Sequence, residues 1–149
     1  MHGAIIPSVY LKGYIYGIFQ VMKYLGIDFG GKNIGVAVSD DGGQIAFPFK
    51  TLKNEGGLIT SIKQICLSEN IETIVLGKSI NDQGDPNQIQ KQIENFREVL
   101  ISEVKLPVKW QNESFSSMHV LDDAKGRDGG DHAQAAALIL QRFLERVNS

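Results

Sequence analysis

Three acidic residues sit where a carboxylate is either costly or prominent. Asp28 ends an apolar run, between Ile27 and Phe29 and just before Gly30-Gly31. A carboxylate inside an apolar strand loses hydration unless it is paired, protonated or bound to a cation. The plainer role is a turn-forming Asp that caps the Gly-Gly loop. Glu113 follows a short apolar segment, and alone it reads as a solvated loop acid. Asp131 directly precedes the C-terminal helical pattern, where the ordinary role is an N-cap. Together the three say more, because acids without paired bases are the arrangement hard cations require. Oxygen ligands select Mg²⁺ or Mn²⁺ over zinc. Two such ions about 3.5–4 Å apart clamp the attacking and leaving oxygens of a phosphodiester during in-line displacement.

Four basic residues accompany the acids: Lys32, Lys78, Lys125 and Arg127. Each could neutralise a backbone phosphate, although plain solvation explains any one of them singly. Trp110 and the scattered Tyr and Phe residues show no spacing that would make a base-stacking platform.

These residues converge only if the chain folds into a sheet with its strand ends at one edge. Lys23–Gly30 reads as a strand, Gly31-Lys32-Asn33 as a tight turn, and Ile34–Ser39 as a second strand. Asp40-Asp41-Gly42-Gly43 is a further hairpin turn, and Ile45–Leu52 a third strand in which Pro48 implies an edge or a bulge. Helix and strand then alternate. Leu58, Ile62, Ile65 and Cys66 share a helical face, and Ile71–Gly77 is a β-branched run expected as a buried strand. After the polar loop Asn81–Asp85, Pro86 suits a first helical turn, and Ile89, Ile93, Phe96, Leu100 and Val104 make an amphipathic stripe. Pro107–Trp110 is expected as a fifth strand, Ser116–Asp123 as a weak helix and Ala124–Gly130 as a basic loop. A last helix over Ala133–Val147 is expected to bury Ala133, Ala136, Ala137, Leu140, Leu144 and Val147.

The 149 residues fit one domain, with 42% apolar and 21% charged residues. Lys+Arg number 15 against 17 Asp+Glu, a net charge of −2, which argues against a blanket coating of nucleic acid but leaves a local phosphate groove open. The single Cys66 excludes an intrachain disulfide and a thiolate-rich zinc site, and its apolar setting implies buried packing in a reducing compartment. Residues 1–21 are apolar and aromatic but broken by Pro7, Lys12, Gly13 and Gly17. They lack a basic n-region and a cleavage site, and they are too interrupted to span a membrane. The expected division is an extension over 1–21, with Met22 as the functional start, and a domain over 22–149.

The stretches YLGIDFGGKNIGVAVSD, IETIVLG, the Glu113 segment and QAAALILQRFLE resemble the YqgF (RuvX) proteins, Holliday-junction resolvases or pre-16S rRNA nucleases. The resemblance runs from about Met22 to the C-terminus, with the segments in order. It implies an α/β, RNase H-like fold with a mixed five-stranded sheet, three antiparallel strands followed by parallel additions, flanked by helices. It also implies three metal-binding acids: Asp28 matches the first-strand Asp, and Glu113 the Glu of the family's Asp-Glu-Arg segment. There are departures. That segment reads Asn112-Glu113-Ser114, and Gly77-Lys78-Ser79 stands in place of Gly-Leu-Pro. An ungapped last helix puts His132 at the family's third acid, with Asp131 one residue earlier, about 100° away on a formed helix. Asp131 is taken as the third ligand, with His132 as an alternative ligand or base.

The expected function is that of a cytoplasmic nuclease using Mg²⁺ or Mn²⁺, acting at the 5′ end of precursor 16S rRNA or, alternatively, on branched DNA, as a monomer or homodimer. Two rivals stand beside it. A sugar-kinase or actin-like ATPase needs two such domains, and no Walker-type motif is present. A chain with a decayed site would bind RNA or a ribosomal partner without cleaving.

Overall fold

A computed structural model describes residues 22–79, 85–111 and 132–149. Strands β1 (Tyr24–Phe29), β2 (Asn33–Ser39) and β3 (Ala46–Lys53) are followed by helix α1 (Leu58–Ser68) and strand β4 (Thr73–Lys78). Helix α2 (Pro86–Glu103), strand β5 (Val108–Trp110) and helix α3 (His132–Asn148) complete the order. The five strands form one sheet in the order β3-β2-β1-β4-β5. β1 pairs antiparallel with β2 and β2 with β3, whereas β4 lies parallel to β1 and β5 parallel to β4. This is the expected mixed sheet.

β1 is the central strand, and its period-2 alternation serves two cores. Leu25, Ile27 and Phe29 join Ile34, Val36, Ile74 and Leu76 beneath α1 and α2. On the other face Ala37 and Val75 pack against Ala136, Ile139, Leu140, Phe143 and Leu144 of α3, with Tyr24 at the margin. Helices on both faces explain why β1, β2 and β4 are almost continuously buried.

β3 lies at the sheet edge, where Pro48 forfeits no needed donor. A bulge also occurs there: Val36 pairs with Lys50 and Ala37 with Pro48, which leaves Phe49 as the extra residue. Asp85 caps α2, its carboxylate accepting from the Asn87 N–H at 3.0 Å, and Pro86 occupies the first turn. The α1 face is buried through Leu58, Ile62, Ile65 and Cys66 as its spacing implied. Burial pushes the Cys66 thiol up to about 11, consistent with a packing role.

The last helix departs from expectation. Its buried residues are Ala135, Ala136, Ile139, Leu140, Phe143 and Leu144, while Ala133 and Ala137 are half-buried and Val147 is 46% exposed. A helix lying on a broad sheet buries two adjacent rows rather than one stripe, so the row Ala135–Ile139–Phe143 turns inward. Val147, in the last turn, runs past that surface. The expected helix over Ser116–Asp123 and the loop over Ala124–Gly130 fall outside the described residues, as do residues 1–21 and 80–84. Among the described residues no helix is long and apolar enough to cross a membrane.

Candidate active site

Asp28 is the penultimate residue of the central strand and is 1% exposed. It belongs to the face covered by α3, since Ile27 and Phe29 serve the opposite core. Across the sheet it stands between two glycines, Gly35 of β2 and Gly77 of β4. Neither neighbour carries a side chain, and other parts of the chain use that room. A Cβ on Gly35 would overlap the backbone carbonyl of His132, the first residue of α3. A Cβ on Gly77 would lie 2.9 Å from the Ile139 Cδ1 and 3.3 Å from the Gln111 carbonyl oxygen. The row Gly35–Asp28–Gly77 therefore lets the start of α3 and the residue after β5 approach the buried carboxylate from either side.

The same sheet edge collects the C-terminal ends of β1, β4 and β5 and the turn into β2. Two bonds extend the pairing there: the Ser79 N–H donates to the Phe29 carbonyl at 2.8 Å, and the Gln111 N–H to Leu76 at 3.0 Å. Asn54 ties the β1–β2 turn to the end of β3. Its side-chain amide donates to the Gly30 carbonyl at 2.9 Å, and its backbone N–H to Lys32 at 2.9 Å.

Of the residues singled out from sequence, Asp28, Lys32, Lys78 and His132 lie in the described parts and share this edge. Lys32 is exposed in the turn, and Lys78 is exposed as the register partner of Phe29. Glu113, Asp131, Lys125 and Arg127 lie outside the described residues. No group of three His, Cys, Asp or Glu side chains suited to a metal ion occurs among the described residues. The topology adds Lys53, which reading of the sequence passed over. It pairs with Asn33 at the same edge and is exposed. Its only signal in sequence is that it closes the strand paired to the second. Lys32, Lys53 and Lys78 have no ion-pair partner among the described residues, so their charge faces solvent. The Arg97 guanidinium lies over the Trp110 ring, 5.8 Å from its centre.

The donor chemistry fits a hard cation. Asp28 offers a buried carboxylate, and the two segments that approach it lead within one or two residues of the sequence to further acids. Asp131 is bonded directly to His132, and Glu113 follows Gln111 by two residues.

Comparison with known proteins agrees with this architecture. A protein from Nitratidesulfovibrio vulgaris (strain Miyazaki F), named "Putative pre-16S rRNA nuclease", is 36% identical over 137 residues, covering 86% of this chain and 96% of that protein. A Dictyoglomus turgidum protein of the same name is 34% identical over 136 residues, covering 85% and 96%. Among solved structures, Thermus thermophilus RuvC in complex with a Holliday junction substrate superposes with a TM-score of 0.59 at 14% identity, covering 86% of this chain and 97% of that one. The fowlpox virus Holliday junction resolvase gives a TM-score of 0.50 at 17% identity, covering 85% and 99%. At such identities these two structures speak to the fold alone, and the fold they share is the RNase H-like one. The family model described as "RuvX: Holliday junction resolvase" matches residues 22–146, and with relatives this similar along most of its length the chain belongs to the RuvX family.

Proposed function

We propose that this protein is a divalent-metal-dependent nuclease that processes the 5′ end of precursor 16S rRNA. The observation that carries the reading is the buried carboxylate of Asp28, held between two glycines where α3 begins and β5 ends. Burying a carboxylate is costly, and a site that will be filled by a cation offsets that cost. In this reading Asp28, Glu113 and Asp131 hold Mg²⁺ or Mn²⁺, with His132 as the alternative to Asp131. When bound, the ions would supply Lewis-acid stabilisation of charge on the phosphoryl oxygens. Lys32, Lys53 and Lys78, with Lys125 and Arg127, bind the phosphates flanking the cleaved bond and set the strand over the sheet edge. Asn54, by pinning the turn, fixes where Lys32 and Lys53 stand.

The names of the relatives support the ribosomal RNA substrate, and the family description supports a four-way DNA junction as the alternative. A monomer suffices to trim one RNA strand, whereas a symmetric junction calls for a homodimer. The cytoplasm is the compartment that fits an rRNA substrate and a reduced buried Cys66. The functional domain is taken to begin at Met22, which the start of the family match supports.

The deciding experiment is cleavage of end-labelled precursor-rRNA fragments and of a four-way DNA junction with Mg²⁺ or Mn²⁺, comparing wild type with Asp28→Asn. Cleavage that the mutation abolishes is expected, and the substrate cut names the class. Well-folded protein that cuts neither substrate would replace this reading with the binding-only one.

A further inference from the structure

A second concavity opens at the same edge, on the opposite face of the sheet from the Asp28 carboxylate. It is a cleft of about 480 Å³ between the β3–α1 connection and α2. Its floor is apolar: Phe29, the residue after Asp28, and Phe96 of α2, with ring centres 4.9 Å apart and 3% and 8% exposed, lie beneath Leu58, Ile59 and the exposed Val99. Its upper walls are amides, from Asn54, Gln92 and Asn95. Among the described lining residues Glu55 carries the one charge, and that charge is negative.

An enzyme acting on a polyanion can place two kinds of group in a cleft, a phosphate or a base. Glu55 repels the phosphate, and no lysine or arginine is among the described lining residues to attract it. A neutral heterocycle fits, because it has an apolar face to lay on the apolar floor, where Val99 is the exposed member, and an edge of donors and acceptors for the amides. Gln92 and Asn95 are three residues apart on α2 and both are exposed, so their side chains stand as neighbours at the mouth. The Asn54 amide nitrogen is engaged by Gly30, which leaves its oxygen as an acceptor. The cleft size is ordinary for a small-molecule or nucleotide pocket.

We propose that this cleft receives one unstacked nucleobase of the substrate strand, next to the phosphodiester positioned at Asp28. The inference rests on the nuclease reading above and adds to it a preference for strands whose bases are free to splay out, such as single-stranded termini and loops. Successive residues of β1 supply the two halves: Asp28 faces α3 and the phosphate, and Phe29 faces the helices α1 and α2 and the base.

The test uses the full chain in chelator-containing buffer, so that binding is read without cleavage. The probe is a short single-stranded RNA carrying one 2-aminopurine, and a second RNA has an abasic linker at that position. Wild type is expected to brighten the 2-aminopurine and to lose roughly 5- to 100-fold in affinity for the abasic RNA. Gln92→Ala/Asn95→Ala, at two exposed positions, is expected to lose a similar factor for the intact RNA and to be indifferent to the abasic change. A variant that binds the intact RNA as wild type does overturns the cleft, whatever happens in the cleavage assay. Saturation by a nucleoside monophosphate without any effect of the variant on RNA binding would also overturn it, in favour of a site for free nucleotides. Base-dependent binding retained by a wild type that cuts nothing with Mg²⁺ or Mn²⁺ would support the cleft and sink the nuclease reading alone.

Discussion

Across the β1–β2 pair Asp28 stands opposite Gly35, and the room a Gly35 side chain would fill is taken by the carbonyl of His132. β2, the strand paired beside Asp28, and the start of the C-terminal helix are thus in close backbone approach. That contact sets the first residue of α3 on the same face of the sheet as the Asp28 carboxylate.

Asp28→Asn keeps the side-chain volume and removes the charge. We expect nuclease turnover to fall by more than about a hundredfold, since even outer-sphere partners of metal ligands cost roughly 10- to 100-fold. Circular dichroism and the urea midpoint should stay at or above wild-type values, because a buried carboxylate is replaced by a neutral amide. Retained cleavage would remove Asp28 from the machinery.

Gly35→Ala and Gly77→Ala should differ. The new methyl at position 35 meets the His132 backbone, which can yield only by moving α3, so about 1–3 kcal/mol of stability and most of the activity should be lost. At position 77 the nearest atoms are the Ile139 Cδ1 at 2.9 Å and Cγ2 at 3.0 Å, side-chain methyls that yield at less cost than the backbone of a helix. Some of that smaller cost is offset by the lower entropy of an unfolded chain with Ala. Urea denaturation of both variants checks the order, and equal losses would contradict it.

In the proposed site Asp131 and His132 are the two candidates for the third ligand. Asp131→Asn is expected to weaken Mn²⁺ binding and cleavage together, while His132→Gln leaves both near wild type. The measurement is Mn²⁺ titration by calorimetry beside the cleavage assay. The opposite pattern would transfer the role to His132.

Lys32, Lys53 and Lys78 should act through phosphate charge alone. For each Lys→Ala variant, the slope of log affinity against log salt for single-stranded RNA should shrink by about 0.7. An unchanged slope for Lys53→Ala would take that residue out of the strand path.

Cys66 should resist thiol reagents in the native protein, since its thiol, raised to about 11, carries almost no thiolate at pH 8. The sign of its linkage follows. The folded state holds the proton more tightly than the unfolded chain, so stability is intact below about pH 9 and declines as pH rises to about 11. Cys66→Ala should flatten that alkaline decline in a series of urea midpoints.

The periodicities of the chain determined the element types, the edge position of β3 and the buried faces of α1 and α2. Each of those rests on a local rule: alternation in strands, spacing of four and three in helices, and the missing donor of Pro48. Asp28 stood out as a carboxylate in an apolar run, and the family resemblance added the expectation of a mixed five-stranded sheet. The tertiary structure decided which rows of α3 turn inward, because a helix on a sheet buries whatever its crossing direction presents. It decided that Gly35 and Gly77, ordinary small residues in the sequence, flank Asp28 from strands separated by about forty residues of chain and create the room for α3 and Gln111. It also brought Lys53 to the edge that holds Lys32 and set Phe29 against Phe96 beneath the cleft. Those juxtapositions depend on strand register and helix placement, and long-range packing sets both, where local sequence carries no signal.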